Sequence, residues 1–228
     1  MDYEDFLDLV KKRRSIRRFK PDPVLDGDIE KIIEAGRWAP SGFNLQPWEF
    51  VIVKKGALRS SIAQLVQDFF TTHAPMEQTR EAWQGPSPRP GAGPPTLGIA
   101  AAPVFIVPFG DPRIRDGLPM IHRYSDDSWE KTYISSMASN FMIMPLAAAA
   151  LGLGSQWVSA VNQPLIHCGI KQLLGIPGPL KIYDMMVLGY PDMEPKPRLV
   201  REREEMVHYD DCETSGFRSD EGVSAFIK

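Results

Sequence analysis

The sequence predicts a single α+β domain. Apolar residues recur at helical spacing in five stretches, and four short apolar runs read as buried strands. Long helices and short strands then alternate irregularly, without the regular strand–helix repeat of a parallel sheet. With 228 residues the chain is long enough for one sizeable core.

Each element follows from its own pattern. Residues 3–13 put Phe6, Leu9 and Val10 on one helical face. Residues 28–38 do the same with Ile29, Ile32, Ile33 and Ala35, until Gly36 weakens the last turn and Pro40 cannot continue it. Trp48–Val53 is a short apolar strand. Residues 57–70 carry the stripe Leu58, Ile62, Leu65, Val66 and Phe69. Residues 104–109 form a second strand. A long central helix covers 128–151, with Ile134, Met137, Phe141, Leu146 and Ala149 spaced for burial and Asp127 or Ser128 as its N-cap. Residues 155–160 are a third strand, 164–174 a short helix and 182–188 a fourth strand.

Eight of the eleven residues in 85–95 are Gly or Pro, which excludes regular structure there and leaves a disordered insertion or a lid. Phe69, Phe70, His73 and Trp83 surround this stretch in sequence and are candidate contacts for an aromatic ligand, or packing residues.

Composition excludes several function classes. The formal net charge is −3, so the chain as a whole is not a polyanion binder. Two cysteines, Cys168 and Cys212, show no framework spacing and read as free thiols of a reducing compartment. The acidic N-terminus lacks an apolar signal core, which predicts a cytoplasmic protein. Residues 141–161 are apolar but broken by Pro145, glycines and polar residues, so no membrane span is expected. His73, His122, His167 and His208 have no metal-ligand spacing, and no metal site is expected. There is no nucleophile elbow and no Walker loop.

Two segments carry chemistry. Residues 11–20 hold seven cations, Lys11, Lys12, Arg13, Arg14, Arg17, Arg18 and Lys20, with Ser15 among them. Like charges this close repel, and a bound anion relieves the repulsion. Guanidinium forks grip phosphate oxygens, and Ser15 adds a donor. The same run also fits a solvated or nucleic-acid-binding face. In the second segment, Pro40 stops a helix, and Ser41, Gly42 and Asn44 make a tight turn rich in backbone donors. Asn44 and Gln46 each add an amide donor and acceptor, as a ring edge of alternating carbonyls and nitrogens requires. An ordinary turn before a strand has the same composition. Together the segments suit a ligand with a phosphate at one end and a flat hydrogen-bonding ring at the other, as in flavin mononucleotide (FMN). Gly152 and Gly154 do not form a dinucleotide fingerprint, because they follow a helix and precede a strand.

In this order the motifs resemble the nitroreductase family of FMN-dependent oxidoreductases. The matching pieces are Arg13-Arg14-Ser15-Ile16-Arg17, Pro40-Ser41-Gly42-Phe43-Asn44-Leu45-Gln46-Pro47-Trp48, Gly152-Leu153-Gly154-Ser155-Gln156-Trp157, Leu188-Gly189-Tyr190-Pro191 and the basic pair Lys196 and Arg198. The resemblance spans roughly residues 8–208. It implies a central mixed, mainly antiparallel sheet flanked by helices, with the long helix at a homodimer interface and FMN between the subunits.

By the same resemblance, Arg13, Arg14, Ser15, Lys196 and Arg198 surround the phosphate. Arg17 lies near the pyrimidine edge, and Trp157, Val158 and Ser159 face the redox-active edge. Pro40, Ser41, Gly42, Asn44 and Gln46 come from the other subunit. Phe43, Phe70 and Tyr124 are candidate substrate contacts or packing residues, and the family's variable middle region places specificity in 70–98. Arg201 and Arg203 read instead as surface charges paired with neighbouring glutamates.

The implied activity is ping-pong reduction of a nitroaromatic, quinone or similar electron-poor aromatic by NADH or NADPH. The absence of any other acid–base or nucleophile constellation agrees, because a flavin supplies the hard chemistry itself. Alternatives are a same-fold reductive dehalogenase resembling iodotyrosine deiodinase, a flavin-fragmenting dimethylbenzimidazole synthase, and a flavin-binding protein without turnover. A nucleic-acid protein would instead show salt-dependent DNA retention.

Overall fold

The structure is a computed structural model and describes residues 2–79, 98–195, 197–211 and 218–227. Two compact units arise, one from Met1–Phe69 with Thr96–Pro195, the other from Phe70–Pro95 with Lys196–Lys228.

The first unit is α+β, as expected. Its helices are α1 (Tyr3–Lys12), α2 (Asp26–Arg37), α3 (Gly56–His73, which ends in the second unit), α4 (Met120–Arg123), α5 (Asp126–Ala150) and α6 (Pro164–Leu174). Its strands are β1 (Trp48–Val53), β2 (Val104–Gly110), β3 (Gly154–Val158), β4 (Lys181–Ile182) and β5 (Met185–Gly189). The sheet runs β1-β2-β5-β3, with β4 also on β2, and every pair of these strands is antiparallel. The parallel component is one isolated bridge, Ser15 to Ser155.

Local chemistry sets the helix ends. Asp2 and Asp5 cap α1 reciprocally, Asp2 accepting from the Asp5 amide at 2.9 Å and Asp5 from the Asp2 amide at 3.1 Å. Pro164 opens α6, and Gly175 closes it in the left-handed conformation at φ 66°. The α5 start differs from expectation. Its N-cap is Ser125, whose side chain makes no capping bond, and neither Asp127 nor Ser128 caps.

The core lies between the sheet and α5. Val104, Ile106, Met186 and Leu188 face Ile29 and Ile32 of α2 and Phe141, Met144 and Ala148 of α5. Each such side chain contributes roughly 1.5–3 kcal/mol of burial. Asn140 of α5 donates to the Gly36 carbonyl at 2.8 Å and ties the two helices. The buried stripe of α5 is Trp129, Tyr133, Met137, Phe141, Met144 and Ala148. Of the residues expected inside, Met137 and Phe141 are buried, Leu146 and Ala149 are half-buried, and Ile134 is 46% exposed. Ile134 lies off the 129–133–137 row and lines an open cavity shared with Ile182 and Tyr183.

The last strand also differs. The expected run 182–188 is two strands. Ile106 pairs with Met186 and Phe109 with Ile182, so β2 takes three steps where its partner takes four. The extra residue is a β-bulge at Tyr183 and Asp184. It falls opposite Pro108, which has no N–H for a ladder; the Tyr183 amide donates to the Pro108 carbonyl at 3.0 Å. Strand β3 stops at Val158, and Ser159–Asn162 is a 3-10 turn rather than strand.

In the second unit, residues 197–211 are largely exposed and α7 spans Asp220–Ile227. No helix among the described residues is long and apolar enough to cross a membrane.

Candidate functional site

The basic segment becomes a strap along the open end of the sheet. Arg13 caps α1 through its amide, which donates to the Leu9 carbonyl at 3.0 Å. The Ile16 amide donates to the Ser155 carbonyl at 2.9 Å, and that of Lys20 to Tyr190 at 2.9 Å. The Arg17 amide meets the Met193 sulfur at 3.3 Å. Gly154 permits this approach, because a Cβ there would lie 2.8 Å from Ile16 Cγ1.

A cavity of about 190 Å³ opens beneath the strap, lined by Lys12, Arg13, Arg14, Ser155 and, from α5, Pro145 and Ala149. Its guanidinium and backbone donors fit a phosphate. Ser15 sits at the bridge to Ser155, and Arg17 is exposed outside the cavity lining.

Strand β3 is last in the sheet, so its outer edge pairs with no further named strand among the described residues. The Ser155 carbonyl points outward to Ile16. Backbone groups alternate between edges with period two, so the N–H and C=O of Trp157 face the same open edge. Val158 is buried, and Ser159 opens the 3-10 turn.

The amide turn rests on the other half of α5. The Gly42 amide donates to Ser136 Oγ at 3.1 Å, and Ser139 Oγ donates to the Pro40 carbonyl at 2.6 Å. A Cβ on Gly42 would lie 2.3 Å from Thr132 Cγ2. Ser41 Oγ accepts from the Gln46 amide at 3.0 Å, and Gln46 Nε2 donates to Asn44 Oδ1 at 3.1 Å. Phe43, Asn44 and Gln46 have φ of 55°, 54° and 46°. Such left-handed backbone costs an ordinary side chain roughly 1–2 kcal/mol, and strain of this kind collects at functional sites. Phe43 is 56% exposed, and its ring is tilted against His122 at 5.0 Å. Tyr124, at the end of α4, is also exposed.

Strap and turn therefore lie apart within one chain. Along α5 the turn's contacts end at Ser139 and the cavity's begin at Pro145, six residues or about 9 Å on. Pro145 is two and a half turns from Ser136, on the opposite side of the helix.

Other expected residues fall elsewhere. Phe70 is half-buried in α3, and Arg198 is exposed; both belong to the second unit. Arg201 pairs with Glu205 at 3.1 Å, and Arg203 donates to the Tyr209 hydroxyl at 2.7 Å. Lys196, Trp83, Cys212 and residues 85–95 lie outside the described residues. Cys168 is exposed with a free thiol.

Sequence reasoning missed Asp184. Its carboxylate is 4% exposed and accepts from Trp157 Nε1 at one oxygen and from Asn162 Nδ2, at 2.6 Å, at the other. Burial pushes its pKa up to about 6, against the lowering effect of those two bonds. A lone acid within the apolar run 182–188 was the available signal.

An α+β unit with a cationic strap over an open sheet edge is suited to a ligand carrying a phosphate. The chain belongs to the nitroreductase family, whose model matches residues 10–190. It is 29% identical to an Archaeoglobus fulgidus protein with a provisional NADH dehydrogenase/NAD(P)H nitroreductase name, over 84% of this chain and 88% of that one. It is also 29% identical to the iodotyrosine deiodinase of Daphnia pulex, over 90% of this chain and 66% of that one. The fold is similar to that of the NADPH:FMN oxidoreductase from Vibrio harveyi in complex with NAD+, with a TM-score of 0.70 at 20% identity, covering 97% of this chain and 83% of that one.

Proposed function

We propose that the protein is an FMN-dependent oxidoreductase that uses NADH or NADPH to reduce small electron-poor aromatics such as nitro compounds or quinones. The single observation that carries this reading is the cationic cavity at the head of the open β3 edge: Arg13 and Arg14 in its lining, Ser15 beside it at the bridge to Ser155, then the outward backbone edge at Trp157 along which a flat ring can lie. When bound, FMN would take two electrons and a proton from the nicotinamide and return them, with a further proton, to the acceptor.

The chain's own residues hold and orient. Arg13 and Arg14 neutralise the phosphate. Arg17 offers positive charge to the pyrimidine edge, by the electrostatic logic of oxyanion sites. Pro40, Ser41, Gly42, Asn44 and Gln46 supply donors and acceptors to a ring, and Phe43 and Tyr124 offer exposed aromatic contacts to the acceptor.

The placement of strap and turn on opposite sides of α5 supports a homodimer, in which the strap of one subunit and the turn of the other share a ligand. Two antiparallel copies of α5 would bring the strap of one subunit beside the turn of the other. The apolar surface agrees. No residue of α1 is buried, and Tyr3, Phe6 and Val10 are exposed there. On α5, Ile134 and Met142 lie eight residues apart on one outward face.

The name of the Daphnia relative supports a second reading, reductive dehalogenation on the same flavin. The test is an absorbance spectrum of the purified protein, followed by NADPH and then NADH without oxygen. Flavin bands that bleach, and reoxidise with a nitroaromatic or quinone, are expected. Release of iodide from 3-iodotyrosine with no turnover of nitroaromatics would select the dehalogenase. A protein that stays colourless after FMN is added would sink both.

A further inference from the structure

We propose that Asp184 is a positioning residue, whose carboxylate holds Trp157 and Asn162 together and thereby fixes residues 158–161 at the open edge of β3. The inference rests on the FMN reading above, because that edge is where the ring would lie.

The geometry is a clamp. Trp157 ends the outward-facing backbone of β3, and Asn162 ends the 3-10 turn that follows. Both donate to one carboxylate, each to its own oxygen. The segment between them is thus pinned at both ends to a third element. The Trp157 ring is also braced, with its centroid 4.2 Å from Phe141 and 6.3 Å from Tyr183.

The bulge explains how a carboxylate comes to be there. The extra residue opposite Pro108 breaks the strand after Ile182, and bulges commonly re-aim a side chain beside a functional site. Without it, residues 182–188 would continue as one ladder.

Stability does not account for Asp184. Burying a carboxylate is costly unless a cation neutralises it. Among the described residues Asp184 forms no ion pair. The charged and titratable groups sharing its cavity of about 630 Å³ are Asp126, Glu130 and Tyr133 of α5, Arg115, and Lys181 and Tyr183 of the β4 segment. Arg115 is paired with Asp126 at 2.6 Å. An apolar residue would suit the site better if packing were its only role. Side chains that brace the groups touching a ligand set the precision of a binding site.

The experiment compares wild type, Asp184→Leu, Asp184→Asn and Trp157→Phe by three readouts: FMN dissociation constant, midpoint potential of bound FMN, and hydrogen exchange of amides 158–162 in FMN-free protein. Asp184→Leu should change the melting temperature little at pH 7, because the relief of the buried charge is offset by two donors left without an acceptor. It should lose exchange protection at 158–162, weaken FMN about tenfold, the lower end of what the loss of a bracing hydrogen-bond partner costs at metal sites, and shift the potential. Asp184→Asn should rescue, because the new side-chain amide can accept from the indole through its oxygen and donate through its nitrogen to Asn162, which turns its own amide to accept. Trp157→Phe should reproduce part of the loss.

Unchanged exchange, affinity and potential in Asp184→Leu would overturn the clamp. If wild type binds no FMN, the flavin reading falls on its own, and the exchange readout still decides whether Asp184 holds the segment.

Discussion

At the scale of single residues, the turn over α5 is fixed by one missing methyl group. Gly42 has its amide on Ser136 Oγ and no room for a Cβ against Thr132 Cγ2. Gly42→Ala should therefore destabilise by about 1–3 kcal/mol, the usual cost of overpacking. Thr132→Ser removes the clashing Cγ2 while keeping the hydroxyl that donates to the Ser128 carbonyl at 2.8 Å. The double variant should recover most of the loss in thermal unfolding; no recovery would mean that the turn, not the contact, demands glycine. The turn and the strap were legible in the sequence because their chemistry is compositional: clustered cations, and amides beside Gly and Pro. Thr132, Ser136 and Ser139 were not, because their role depends on which helix lies beneath the turn. The left-handed Phe43 and Gln46 were likewise invisible, since neither residue type announces that conformation.

At the scale of elements, helices were read well where a stripe faces one partner, and strands poorly where pairing decides. The break at Asp184 depends on Pro108, which sits in a different strand some seventy residues earlier, so no local pattern could show it. That break has a measurable consequence through pH. The folded-state pKa of Asp184 is raised to about 6 from an ordinary 3.8, chiefly by burial. The folded protein therefore binds more protons than the unfolded chain between these values, and stability falls as pH rises through the window. Below about 4 both states are protonated and the penalty vanishes; above about 6 it is full, on the order of 2–3 kcal/mol. Asp184→Asn should flatten this part of the stability profile and be the more stable protein at pH 7. Denaturant unfolding at pH 5 and pH 7.5 checks it. A wild-type slope that persists in the variant would assign the titration to another group.

At the scale of the whole molecule, the distance between strap and turn matters most. The sequence places the two in order but carries no sign that α5 separates them, because a linear pattern cannot say on which side of a helix its neighbours dock. It also misplaces Ile134 inside, since periodicity finds an apolar position without saying whether its partner belongs to the same chain. Ile134 and Met142 are 46% and 42% exposed, so charges there leave the monomer core intact. The pair Ile134→Glu and Met142→Glu should then yield a folded monomer with near-normal thermal stability. It should also have lost FMN, because in the proposed dimer strap and turn meet across the subunit boundary. Leu165→Glu, at an exposed position on α6, controls for added charge and should leave both assembly and flavin untouched. Sedimentation with simultaneous detection at protein and flavin wavelengths reads both quantities in one run. Flavin travelling with a monomer would show that a single chain completes the site. The strap would then have to hold FMN by itself, and the strained amide turn on the other side of α5 would need a different ligand.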